Sequence, residues 1–469
     1  MKKIITYLLL VVMCATILTG CSTNKEKNKE YNIILTSATI PPMVTLLDIM
    51  GNDATEKETY AWIGRQNTIS SIENLKKAFK KITLDESWST ASNIPNAVIS
   101  NMNEFITDKW FESNETAKFN VYVTDYGILS ALYLLENNGI TSKNYKIHMV
   151  EDGSSAYAEF LTNQGYAAAD GKANFDKNLA ELTDKLNKIR EGKFELPETA
   201  FVNYNLSYPA TTLPNVDYYL QYPELLVSEN AEITKMIENK ELKLVSKKLT
   251  SLYEALSTAK QATVKEIIVA GSTIEQIKKD DKEKVLMITG TAFSGEGDIL
   301  TEENVSAAGK DGNFETVVRY LANKYKNYKI IYKGHPAWGI LESEIEGSRF
   351  IQPNRYQKVN AGTENEREVT VEEARAFLDR RIAFLEELHI EVLPAQTPAE
   401  AIIWAAGDDL VLAGYDSSLY MNAKPGSMLA FFASDVNALS DLNQRLYGEG
   451  GVFYSANIEY LTYDNCKAK

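Results

Sequence analysis

The chain has 469 residues, is 44% hydrophobic and 10% aromatic, and carries a formal net charge of −15. That length and composition support large cores in about two or three domains and exclude general disorder. So acidic a chain is a poor candidate for nucleic-acid binding, and any anion it takes must be met locally by backbone N–H groups, helix ends and a few placed cations.

"MKKIITYLLLVVMCATILTGC" (1–21) has two lysines, an apolar run and small residues before a cysteine, the pattern of a secretory signal. "LTGC" looks like a lipoprotein box, with Cys21 as the lipid-bearing first mature residue; a simple N-terminal membrane anchor is the alternative. "STNKEKNKEY" (22–31) reads as a polar tether, and no second apolar run is long enough to span a bilayer. With Cys14 in the signal and Cys21 lipidated, only Cys466 remains, in a polar tail. An internal disulfide and a cysteine-based metal site are then excluded, and three histidines are too few to suggest a histidine cluster.

Strand-like runs follow at 32–35, 119–123, 145–150, 217–220, 284–289, 328–332, 390–394, 409–414 and 428–433. Amphipathic stretches such as 175–194 lie between them, which predicts an α/β protein with parallel sheets. The turn- and proline-rich "NYNLSYPATTLPNV" (203–216) reads as a joint. It predicts two doubly wound Rossmann-like domains facing across a cleft, 32–208 and 209–444, with the tail from about 445 to 469 able to pack back on the first. "TVEEARAFLDRRIAFLEELH" (370–389) reads as an added surface helix. It opens with Thr370 and Glu373 in capping-box spacing, carries an apolar stripe of Ala374, Phe377, Leu378, Leu385 and Leu388, and ends at His389.

In open α/β sheets ligands bind beyond the carboxyl ends of the strands. After 145–150 come Glu151, Asp152, Gly153, Ser154 and Ser155: either a carboxylate placed as a general base, or an Asp-Gly turn with a helix N-cap at Ser154 or Ser155. His148, inside that strand, faces the other way from Ile147 and Met149 and reads as structural. After 284–289 comes "GTAFSGEGD", which is either a plain flexible loop or a place where Gly290 and Thr291 permit close backbone approach to a ligand, without a dinucleotide fingerprint. After 328–332 come Lys333, Gly334, His335 and Pro336, whose histidine is either structural or placed to serve a leaving phosphate. After 409–414 comes "YDSSLY", whose Ser417 and Ser418 open a helix that either binds phosphate or is simply capped. Together these ends suit group transfer from a nucleotide donor, bound mainly by the second half, to an acceptor held by the first.

In order, "EDGS" (151–154), "KGHP" (333–336), "LPAQTPAE" (393–400) and "SSLY" (417–420) resemble the motifs of the bacterial sialyltransferases of glycosyltransferase family 80. "ITGTAFSGEGD" (288–298) is similar to that family's Thr-Gly-Thr loop, and 32–50 to its first strand and helix start. The resemblance implies a GT-B fold, a CMP-sialic acid donor, a galactoside-type glycan acceptor, inversion at the anomeric carbon, and no metal or other cofactor. It implies Glu151 as the base, with Asp152 as a possible substitute because the family usually has Asp there. It further implies His335 at the departing phosphate, Ser417 and Ser418 on that phosphate, and Glu400 on the ribose. Gly290, Thr291, Lys333, Gly334 and Pro336 would line the nucleotide site, with Phe293 and Thr39 on the acceptor side. A lipid-anchored place in the bacterial cell envelope follows from the signal, with the leaflet and oligomeric state open. Two departures touch the acceptor side: Ser294 replaces the family's loop tryptophan, and "TDYG" (124–127) stands where a histidine is expected. The rival reading is a lipoprotein solute-binding receptor with two α/β lobes, which explains the signal and architecture but not the ordered motifs.

Overall fold

In the computed structural model the described residues are 29–64, 69–87, 94–197, 203–269, 277, 284–289, 301–302, 312–334, 358–360, 362–368, 370–393, 397–406, 410–414, 428–432, 458–461 and 463–467. They build two parallel sheets. The first has seven strands: β1 (Glu30–Thr36), β2 (Glu58–Ile63), β3 (Ile82–Asp85), β4 (Lys118–Thr124), β5 (Tyr145–Val150), β6 (Val216–Leu220) and β7 (Leu244–Ser246), in the spatial order β3-β2-β1-β4-β5-β6-β7. The second has β8 (Val285–Thr289), β9 (Lys329–Lys333), β12 (Glu391–Leu393), β13 (Leu410–Gly414), β14 (Met428–Phe432) and β15 (Ile458–Leu461), in the order β12-β9-β8-β13-β14-β15. A two-residue antiparallel pair, β10 (Lys358–Val359) with β11 (Arg367–Glu368), stands apart.

Each sheet therefore reverses its strand order once, between β1 and β4 and between β8 and β13. Such switch points open a crevice at the carboxyl ends of the strands. Helices cover the first sheet because its strands are nearly continuous apolar runs that must be buried on both faces, as in β1, where Tyr31 through Thr36 are all buried. Helix α1 (Ile40–Gly51) starts at the switch point, with Pro41 and Pro42 in its first turn, where a missing N–H costs nothing. Helices α2 (Ile72–Ala78), α3 (Asn96–Glu112), α4 (Ile128–Glu136), α5 (Ser154–Ala158), α6 (Gly171–Arg190), α7 (Ser207–Ala210) and α8 (Ala231–Glu238) complete the first lobe's connections.

The expected joint at 203–216 is corrected. That stretch turns into α7, with Tyr208, Pro209 and Ala210 buried, and feeds β6, which pairs with β5 in the first sheet. Turn-rich composition here marks a buried corner rather than a domain boundary. After β7 come α9 (Leu249–Glu254) and α10 (Thr258–Ile268), and the Ile267 carbonyl accepts from Ser70 N and Ser71 N at 2.9 and 3.1 Å. The first lobe thus runs to Val269, and the second sheet begins at Val285. The two share a contact: Tyr253 of α9 stacks on Trp404 of α13 (Ala399–Ala406), ring centroids 4.4 Å apart and 4° from parallel.

The tail is corrected as well. Its described part, β15 and α14 (Tyr463–Lys467), belongs to the second lobe: β15 pairs with β14, Tyr320 donates to Glu459 at 3.0 Å, and Cys466 is buried in the second core. The added helix is present as α12 (Val371–Glu387), with the predicted capping box between Thr370 and Glu373. It docks on α11 (Gly312–Lys324) through Phe384 and Leu385, with the Arg381 guanidinium 4.3 Å from the Phe314 ring centre. Among the described residues no helix is long and apolar enough to cross a membrane.

Candidate active site

The first switch point gathers three strand ends. β1 runs into Ser37, Ala38 and Thr39; Ala38 takes a left-handed backbone, φ 69°, and half-buried Thr39 occupies the N-cap of α1 without a side-chain capping bond. Ser37 N donates to Thr124 Oγ1 at 2.9 Å, which ties this junction to the end of β4. β4 runs into Asp125, and β5 into Glu151 and Asp152.

Just past the end of β5 the two acids have different surroundings. Glu151 turns inward and has no exposed surface. Its carboxylate accepts from Tyr157 Oη at 2.5 Å, from Gln221 N at 3.0 Å and from Gln221 Nε2 at 3.0 Å. Tyr222 N donates onward to Tyr157 Oη at 2.9 Å, and Leu249 N to Gln221 Oε1 at 3.2 Å. Burial pushes the Glu151 carboxyl up to about 8 in spite of these donors. Glu151 is thus placed to clamp α5 and the turn after β6 beneath the surface. Glu151, expected as the base, thus has no exposed surface, whereas Asp152, its possible substitute, is half-buried.

Asp152 is half-buried. Its carbonyl accepts from Ser155 Oγ at 2.5 Å and its N–H donates to Asp125 Oδ2 at 3.4 Å. Gly153, at φ 62° and ψ −140°, then reverses the chain into α5, a backbone that other residues adopt only under strain. The serine N-cap of the alternative reading is not formed: Gly153 is the N-cap, and Ser154 is already helical.

Sequence reasoning did not select Asp125. It is 1% exposed, its Oδ1 accepts from Tyr126 N at 2.8 Å, and its Oδ2 accepts from Tyr218 Oη at 2.6 Å. Burial, with the Asp152 charge added, pushes its carboxyl up to about 7. The signal available was an acid directly after a buried strand, the same signal that drew attention to Glu151.

At the second switch point Thr289 and Lys333 lie side by side in register and are both buried. Gly414 ends β13 against Thr289; a Cβ there would stand 1.8 Å from Thr289 Oγ1, so only glycine fits. Gly334 is half-buried, and Glu400 is buried in the first turn of α13, where the helix dipole favours a carboxylate. The remaining predicted positions, Cys21, Gly290, Thr291, Phe293, His335, Pro336, Ser417 and Ser418, lie outside the described residues. Among the described residues no group of three or more His, Cys, Asp and Glu side chains could hold a metal ion.

His148 is structural, as expected. It is sandwiched between Tyr122 and Tyr219, ring centroids 4.7 and 4.8 Å away, and burial lowers its imidazole to about 4. Beside it, buried Asp48 accepts from Tyr122 Oη at 3.0 Å and from Lys247 Nζ at 2.5 Å, fastening α1 to the sheet.

No family model matches the chain, and no curated protein matches its sequence. Solved structures do match. An α/β-galactoside α-2,3-sialyltransferase from Photobacterium phosphoreum superposes with a TM-score of 0.58 at 12% identity, covering 92% of this chain and 99% of that one. The GT-B domain of a sialyltransferase from Photobacterium damselae gives 0.57 at 14%, covering 92% and 99%. A 2,6-sialyltransferase from a Vibrionaceae Photobacterium species, solved with CMP and lactose, gives 0.59 at 14%, covering 92% and 78%. At these identities the likeness establishes the fold, which is GT-B.

Proposed function

We propose that this chain is an inverting sialyltransferase that moves sialic acid from CMP-sialic acid to a galactoside-type acceptor without a metal. The observation that carries the reading is the turn after β5: Glu151 is buried and Asp152 is left half-buried at the first switch point, in a chain whose fold matches bacterial sialyltransferases over 92% of its length. The CMP and lactose bound to one of those structures suggest the two substrates.

In this reading Asp152 accepts the proton of the acceptor hydroxyl. The acceptor oxygen attacks the anomeric carbon as the bond to the CMP phosphate breaks, and the electron pair leaves on the phosphate. One displacement inverts that carbon. Negative charge grows on the phosphate while the sugar passes through an oxocarbenium-like state, so fixed donors aimed at the phosphate are the device required. His335, Ser417 and Ser418 take that role, Glu400 holds the ribose hydroxyls, and Gly290, Thr291, Lys333, Gly334 and Pro336 line the nucleotide site. CMP is a stable anion when it leaves, so the step needs no divalent ion. Thr39 at the start of α1 and Phe293 after β8 face the acceptor. Lipid on Cys21 tethers the enzyme in the bacterial envelope.

CMP release from CMP-N-acetylneuraminic acid, with and without lactose and with a chelator present, tests the reading. Acceptor-stimulated release supports it. No release and no saturable CMP binding would contradict it and favour a solute receptor.

A further inference from the structure

We propose that Asp125 is a positioning residue for the Asp152 base, holding its main chain where β4 and β5 end and standing behind it as a second carboxyl group. This rests on the role given to Asp152 above. Adjacent strands β4 and β5 bring the two acids together, 27 positions apart in sequence, with Asp152 N donating to Asp125 Oδ2 at 3.4 Å. Asp125 is itself fixed from three other directions: Tyr126 N on Oδ1, Tyr218 Oη on Oδ2, and Ser207 Oγ on its main-chain carbonyl at 3.0 Å. An acid with 1% exposure and this many donors is not a surface charge.

Among the described residues the titratable groups facing Asp125 are Asp152 and Glu151 from the β5 end, Tyr126 beside it, Tyr208 from α7 and Tyr218 from β6. Asp152 is the more exposed member of the pair, and its charge adds to burial in raising the Asp125 carboxyl. Asp125 keeps its proton until about pH 7. Above that, a second negative charge behind Asp152 makes it a stronger base for the acceptor hydroxyl. The result is a turnover that rises a second time through neutral pH, with no change in how either substrate binds.

The test uses the full-length protein with CMP-N-acetylneuraminic acid and lactose, from about pH 5.5 to about pH 9. Wild type, Asp125→Asn and Tyr218→Phe are compared, each checked by thermal melting. The wild-type kcat should rise through about pH 7. Asp125→Asn should lose that rise and fall about tenfold in kcat at alkaline pH, with the lactose KM little changed. Tyr218→Phe, which removes a donor to the carboxylate, should move the rise to higher pH. If Asp125→Asn does not fold, Tyr218→Phe decides alone, and an unmoved rise overturns the proposal. Carboxyl-carbon NMR of Asp152 reads the coupling without turnover: its chemical shift should show a further step through about pH 7 in wild type that is lost in Asp125→Asn, and a wild type without that step overturns the proposal. Release of CMP without coupling defeats this inference alone. Coupling without release defeats the proposed reaction, and the catalytic role of Asp125 with it.

Discussion

Replacing Glu151 by Gln tests whether this acid is a buried clamp. A carboxyl held at about 8 in the fold and near 4.5 when unfolded binds its proton more tightly in the native state. Its sign is therefore the reverse of a salt-bridged carboxylate: the native state is favoured below the unfolded value, and stability falls as pH rises from about 4.5 through about 8. That interval corresponds to on the order of 5 kcal/mol between the extremes, reduced to a few kcal/mol once unfolding-state structure and local relaxation are allowed for. Glutamine keeps the shape and removes the ionisation. Where it turns an amide N–H₂ toward Gln221 Nε2, it costs about 1–3 kcal/mol. The variant should therefore be less stable than wild type near pH 5.5 and more stable near pH 8.5, read by urea denaturation at both values. Asp125 titrates in the same direction at about 7, so part of the slope persists in the variant. A variant that keeps the whole wild-type slope would refute the reasoning.

Other expected outcomes follow from neighbouring geometry. Gly414→Ala, driving a Cβ into Thr289 Oγ1, should cost about 1–3 kcal/mol in urea denaturation, with part recovered in Gly414→Ala/Thr289→Ala; no loss would mean that β8 and β13 are less tightly apposed. Gly153→Ala should cost about 1–3 kcal/mol and disturb the turn that presents Asp152, lowering kcat as well as stability. His148, lowered to about 4 from 6.5, contributes stability that is complete above pH 6.5 and lost as pH falls toward 4. His148→Phe should flatten that acid arm of the melting profile, opposite in sign to the Glu151 effect.

The nine strands expected from apolar runs are all present, because parallel strands buried on both faces read as unbroken hydrophobic stretches. β2 was not expected: its "ETYAWI" is flanked by charged residues and reads as a surface segment, yet it lies beside β1 inside the sheet. β7 is a three-residue, half-exposed edge strand with no pattern to find. The joint was misplaced because prolines and turn residues at 203–216 signal a change of direction, and only strand pairing tells whether the chain leaves the sheet or returns to it. The acid turn after β5 was legible as chemistry. Which of its two acids points inward was not, since that depends on Tyr157 and Gln221 reaching Glu151 from α5 and from the end of β6. Asp125 was hidden for the same reason: it meets Asp152 only because β4 and β5 are neighbours.

The most direct test of the central claim is acceptor-stimulated CMP release by wild type, Asp152→Asn and Glu151→Gln under one set of conditions. The account predicts a loss on the order of 10²–10⁴-fold in Asp152→Asn and less than about tenfold in folded Glu151→Gln. Full loss in Glu151→Gln with Asp152→Asn still active would return the base to Glu151 and contradict the site described above.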